Sequence, residues 1–281
     1  MLRTDAENQL AWEGERSRMD RPRLVSLAPS ATALLRALGA ADRLVGVTHH
    51  CDPGDADPPP ERVGGWLTPD IDRVDALDPD LVITSDGLQT DVVTALEDRG
   101  HHVRHHEPGT LPEVIESAAT IGEAIGRPAA GTRLANDLRN RIEAVETSIE
   151  TFLDAESVDR PVVYCEEWSD PPMAAGNWVP DVVEAAGGRY PFVDAGERSR
   201  EVDRETVERH DPDHVVLHPC GYGDRADPSV VRDRDWAIDS SVHAVNDDLL
   251  NQPGPTLVEG VERLARILHP DAFEEPSAEE R

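Results

Sequence analysis

One stretch of amphipathic helix sets the limits on what this chain can fold into. From Pro128 to Leu153 the apolar residues Leu134, Leu138, Ile142, Val145, Ile149 and Phe152 recur at steps of four, four, three, four and three, which is one apolar stripe on an α-helix. About 26 residues rising 1.5 Å each reach about 39 Å. That exceeds what a single small core needs, and predicts a stiff strut shared by two domains.

The segments on either side read as α/β. Before the helix, Arg23 to Ala28 is a β-rich run, Pro29-Ser30 a loop, and TALLRALG a helix stopping at Gly39. A strand over Leu44 to Val47 leads into THHCDPGDADPPPERVGGW, too rich in Pro, Gly and Asp for regular structure. Then come a short helix and strand in DIDRVDALDPDLVITS and a helix in DVVTALEDRG. After the strut, PVVYCE, VPDVVEAAGG and DRETVERHDPDHVVLH repeat the alternation, which implies layered parallel sheets. Asp78-Pro79-Asp80 before LVI matches Asp211-Pro212-Asp213 before HVV, an offset of 211 − 78 = 133 that also lays Asp72 on Glu205. The pattern predicts a pseudo-duplicated chain: a polar tail over 1–21, lobes over 22–126 and 157–270, a connecting helix over 127–156, and an acidic tail over 271–281.

Charge narrows the partners. The chain of 281 residues has 27 basic and 57 acidic side chains, a formal charge of -30, and no Lys at all. Such a surface suits a protein from concentrated salt, where screening removes most self-repulsion. It argues against nucleic acid or anionic membrane as partners, since binding phosphate depends on Lys and Arg. Cys51, Cys165 and Cys220 are too few and too scattered for a disulfide framework. Residues 1–21 carry no apolar run of the kind an export signal needs, so the chain as it stands reads as cytoplasmic. With Met19 as a competing start, an extracytoplasmic protein is the alternative.

Four segments carry a resemblance: VSLAPSATALLRALGAADRLVGVTHHCDP, VGGWLTPDIDRVDALDPDLVITSDG, EEWSDPPMAAGNWVPDVVEAAGG, and HPCGYG with NQPGPTLVEGVERLARILHP. They resemble the helical-backbone class of ABC-transporter solute-binding proteins, in particular its cobalamin-binding branch. The resemblance implies two Rossmann-like α/β lobes with parallel sheets, joined by one long helix, with the ligand in a cleft between them. It implies a monomer that binds a corrinoid as ligand, has no cofactor of its own, and docks on an ABC permease through one acid on each lobe, here Asp72 and Glu205. Haem or a ferric siderophore would suit the same fold. An enzyme or carrier in corrinoid salvage is the rival class, although no phosphate-binding glycine loop, H-E-x-x-H or G-x-S-x-G motif supports catalysis.

A corrin is flat and apolar on its faces with amides at its rim, so it calls for aromatic walls and hydrogen-bonding loops. The expected contacts are Pro29, Ser30, His49, His50, Trp66 and Gly87 in the first lobe and Trp168, Asn177, Trp178, Gly221 and Tyr222 in the second. His49 or His50 would serve as an axial ligand to the chelated metal or as a polar contact. His101, His102, His105 and His106 alternate faces on a strand and read as surface histidines, and Cys220 reads as a buried structural thiol.

Overall fold

The computed structural model describes residues 21–273; the parts of the expected tails at 1–20 and 274–281 lie outside the described residues. Two compact units emerge. The first holds residues 21–107 and 117–135, the second residues 108–116 and 136–273.

In the first unit, β1 (Leu24–Ser26) leads into α1 (Pro29–Ala37), followed by β2 (Leu44–Val47), β3 (Glu61–Arg62), α2 (Ile71–Ala76), β4 (Leu81–Ser85), α3 (Thr90–Asp98) and β5 (Val103–His106). All its strand pairs are parallel, in the order β3-β2-β1-β4-β5. Val25, Leu27, Val63, Val74, Val82, Val92 and Leu96 form one buried cluster. Two expectations change. Pro29 and Ser30 are the first residues of α1, because proline's fixed φ and missing N–H suit the opening turn of a helix. The Pro-rich loop also contains β3, which pairs with β2 at Gly46 and Val47.

The next helix, α4 (Leu111–Ala124), begins in the second unit and ends in the first, whereas α5 (Pro128–Glu156) begins in the first and continues in the second. At 29 residues α5 is about 44 Å long. Leu138, Ile142, Val145 and Ile149 of the expected stripe are buried. Where α4 meets the start of α5, only glycine fits: a Cβ on Gly131 would lie 2.6 Å from the Ala118 carbonyl oxygen, and one on Gly122 would lie 2.7 Å from the Gly131 Cα.

The second unit continues with β6 (Val163–Ser169), β7 (Pro172–Ala174), α6 (Val179–Ala185), β8 (Arg200–Glu201), α7 (Arg204–His210), β9 (His214–Leu217), α8 (Ser229–Arg232), β10 (Ser241–Ala244) and α9 (Thr256–Leu268). Its sheet runs β10-β9-β6-β7-β8. The first three strands are parallel, but β7 and β8 join antiparallel, so this sheet is mixed. A tight turn at Asp170-Pro171 folds β6 back on β7, a connection open only to antiparallel neighbours.

The duplication holds in atomic detail. Asp70 caps α2 by accepting the Arg73 N–H at 3.2 Å, and Asp203 caps α7 by accepting the Thr206 N–H at 2.8 Å. Asp78 and Asp211, which follow those helices, both have φ of 43°. Asp80 accepts the Arg23 N–H and Asp213 the Val162 N–H, each at 2.7 Å, beside the first strand of its own sheet.

Candidate ligand-binding loops

Parallel strands deliver their following loops to one edge, which is where α/β sheets bind ligands. In the first unit that edge carries Pro29, Ser30, His49, His50, Trp66 and Gly87. Gln89, fully buried, ties it together. Its amide donates to the Leu27 carbonyl at 2.9 Å and the Trp66 carbonyl at 2.8 Å, while its oxygen accepts the Ser85 N–H at 2.8 Å. Arg62 donates to the Thr48 and Cys51 carbonyls, both at 2.7 Å, and so closes the His49-His50 turn. The Cys51 thiol lies 3.1 Å from the Thr48 hydroxyl and is buried, leaving His49 and His50 exposed. Ser30 is buried, Trp66 is half-buried, and Gly87 starts a short turn whose Leu88 is exposed.

In the second unit Trp168, which lies near the end of β6 and not in a loop as expected, and Tyr222, in the loop after β9, line one cavity of about 350 Å³ together with Leu217, Pro219, Ala226 and Val230. The Trp168 indole N–H is held by the Asp170 carbonyl at 2.8 Å. Beneath the cavity, Glu166 is fully buried and receives both guanidinium nitrogens of Arg234, at 2.6 and 3.0 Å, as well as the hydroxyls of Tyr164 and Ser169. Arg234 also lies 4.6 Å from the centre of Trp236. Gly221 and Gly223 both donate N–H groups to Asp247, at 2.6 and 2.7 Å, which fixes the Tyr222 loop. Asn177 sits at φ 52° after Gly176, where a Cβ would lie 2.3 Å from the Glu197 carbonyl oxygen.

Three further sequence expectations change here. Trp178 is buried and donates its indole N–H to the Leu250 carbonyl at 2.7 Å, so it anchors its loop to the core and offers no face to a ligand. Cys220 is exposed, because it follows Pro219 out of the strand into the Asp247-held turn. His106 is not a surface residue. It is buried at the end of β5 with both ring nitrogens unpartnered, beside the equally unpartnered hydroxyl of its register partner Ser85, and burial holds its pKa down to about 4.

Sequence reasoning missed Gln89, the Glu166–Arg234 pair and His218. A glutamate directly after the apolar run VVYC, and a histidine directly after the strand HVVL, were the available signals. His218 is fully buried; its Nδ1 bonds the Asn251 side-chain oxygen, and burial lowers its pKa to about 4.

Asp72 and Glu205 are both exposed in the first turns of α2 and α7, and Asp72 is paired with Arg99 at 2.8 Å. Among the described residues, no cluster of three or more His, Cys, Asp or Glu is arranged to hold a metal ion, and no helix is long and apolar enough to cross a membrane. A larger cavity of about 490 Å³ along α5 and α6 mixes Arg139 and Arg160 with Glu146, Glu150 and Glu184 and has no aromatic wall.

What distinguishes the carboxyl edges is exposed apolar surface. Among the described residues, Leu67, Leu88, Trp168, Tyr222 and Val230 are 39–57% exposed; Val158 alone of the large exposed hydrophobics lies elsewhere.

Comparison with known proteins agrees with this geometry. The family model described as "Periplasmic binding protein" matches residues 24–254. A cobalamin-binding protein of Halobacterium salinarum is 30% identical over 259 residues, covering 88% of this chain and 69% of its own. The crystal structure of a periplasmic vitamin B12 binding protein of Vibrio cholerae superposes with a TM-score of 0.70 at 24% identity, over 90% of this chain and 98% of that one. A periplasmic haem-binding protein of Pseudomonas aeruginosa gives 0.73 at 22% identity, over 92% and 95%.

Proposed function

Because the chain belongs to the periplasmic binding protein family, we propose that it captures cobalamin or a related corrinoid, with the loops at the carboxyl edge of each lobe supplying the contacts. The observation that carries this reading is the apolar and aromatic surface on those edges, half-buried Trp66 with exposed Leu67 and Leu88 in one lobe and exposed Trp168 and Tyr222 in the other. Flat apolar faces of a macrocycle would cover it. His49, His50, Ser30 and the backbone around Gly87, Asn177 and Gly221 supply polar contacts. The corrinoid is bound and released unchanged, as a ligand, and no chemical step is part of the function. The Halobacterium relative named for cobalamin favours a corrinoid over haem, since the haem-binding neighbour shares the fold alone.

In this reading the receptor works outside the cytoplasmic membrane and delivers its ligand to an ABC permease, which the family membership supports. Asp72 and Glu205, on matching helices, are the acids offered to it. Arg99 lies against one oxygen of the exposed Asp72 carboxylate, so a permease arginine would meet a carboxylate already partly neutralised. Trp66→Ala tests the ligand site. Titration with cyanocobalamin, followed by tryptophan quenching, should show affinity lower by about tenfold or more, about 1.4 kcal/mol; unchanged affinity removes Trp66 from the site.

A further inference from the structure

The cavity walled by Trp168 and Tyr222 offers more than apolar surface, because Arg225 lines it as well. The frame that carries Arg225 is fixed. Asp247 accepts the Gly221 and Gly223 N–H groups on its two carboxylate oxygens, and the short turn Gly223–Arg225 follows directly. Arg225 is exposed; its Nε–H donates to the Tyr222 carbonyl at 3.1 Å, and one terminal nitrogen reaches the Gly221 carbonyl at 3.5 Å, too long for a strong bond. A guanidinium has five N–H groups, so its terminal face keeps free donors. Among the described residues, no carboxylate lies within ion-pair distance of Arg225. By contrast, Arg234 is committed to Glu166 and the Ser169 carbonyl, and Arg62 in the first unit to the Thr48 and Cys51 carbonyls.

The acids of the same cavity limit what Arg225 can hold. Asp170 and Asp227 both line it. The Ser229 N–H, 2.9 Å from one Asp227 oxygen, holds that carboxyl below the usual carboxylate range, so it stays ionised. Two carboxylates near one guanidinium repel a dianion more than a singly charged group. A phosphodiester fits that balance: it has one charge, and its two free oxygens match the guanidinium fork. At about 350 Å³ the cavity lies in the size range of small-molecule sites, and its two aromatic side chains can cover a flat heterocycle as they would any base.

We infer that this cavity takes the nucleotide arm of a corrinoid, with Arg225 donating to the phosphodiester and Trp168 and Tyr222 covering the heteroaromatic base. This rests on the corrinoid reading above and narrows it to corrinoids that carry the complete arm. An aromatic cavity without the guanidinium would take any flat apolar group and would be indifferent to the phosphate.

Equilibrium dialysis of the full chain at fixed salt compares cyanocobalamin, which has the phosphodiester and the base, with dicyanocobinamide, which has neither; both ligands are neutral overall. The wild-type protein should favour cyanocobalamin by about tenfold or more, the usual worth of a hydrogen bond to a charged group. Arg225→Gln keeps a donor but loses the charge, so it should remove most of that preference and leave the affinity for dicyanocobinamide unchanged. Arg225→Lys, which keeps the charge without the fork, should restore part of it. Rising salt should narrow the wild-type preference and leave that of the Gln variant where it is; the salt series decides alone if the variants fail to fold. Equal affinity of the wild-type protein for the two ligands, a preference that Arg225→Gln and salt leave whole, or an equal loss for both ligands in that variant overturns the inference and leaves the corrinoid reading standing. No binding of either ligand by the wild-type protein overturns both.

Discussion

In the first unit the carboxyl edge of the sheet is held by hydrogen bonds to backbone, from Gln89 at Leu27, Trp66 and Ser85 and from Arg62 at Thr48 and Cys51. In the second unit a buried ion pair, Glu166 with Arg234, and an imidazole–amide pair, His218 with Asn251, hold it. At the opposite edges the units repeat each other, with Asp70 matching Asp203, Asp78 matching Asp211 and Asp80 matching Asp213 in conformation and hydrogen bonding. The amino edges therefore act as common scaffold. The carboxyl edges, freed from that task, carry different chemistry in each lobe.

The largest test of this contrast is Glu166→Ala. Leaving Arg234 without its buried carboxylate should cost about 3–5 kcal/mol, read as a fall in the denaturation midpoint; a loss under about 1 kcal/mol would mean that the pair behaves as a surface contact.

Acid should next expose a property that the two carboxyl edges share. His106 in the first unit and His218 in the second each have a pKa depressed from 6.5 to about 4 by burial. Between those values the unfolded chain binds protons that the folded chain refuses. Their contribution to stability is therefore full above pH 6.5 and declines as pH falls toward 4, by about 1.4 kcal/mol per pH unit for each imidazole. Denaturation at fixed salt across that range, with His106→Asn and His218→Asn as references, measures it; slopes that the substitutions leave unchanged would contradict the assignment.

Smallest and most alike should be the losses in Asp70→Ala and Asp203→Ala, about 1 kcal/mol each, the usual worth of an N-cap. Unequal losses, by chemical denaturation, would break the equivalence of the two amino edges.

Much of this arrangement was legible in the sequence, for identifiable reasons. The stripe from Leu134 to Phe152 announced α5 because helical periodicity survives any context, and the D-P-D repeats announced the duplicated edges because a cap and a left-handed turn are local events. The antiparallel β7 and β8 were not legible. They depend on where β6 turns back, and two- and three-residue strands have no period to detect. Trp178 and Trp168 look alike in sequence, and only packing against Leu250 separates the anchor from the exposed ring. Gln89 and His218 escaped notice because their roles lie in partners 62 and 33 residues away.

Hydrogen exchange of the whole chain, with and without saturating cyanocobalamin, tests the central claim most directly. The account predicts ligand-dependent protection in residues 28–30, 48–51, 64–67, 86–89, 168–171 and 218–223, at the carboxyl edges, and none in 70–80 or 203–213, at the amino edges. Protection confined to the amino edges, or no change anywhere with the ligand in excess, would contradict it.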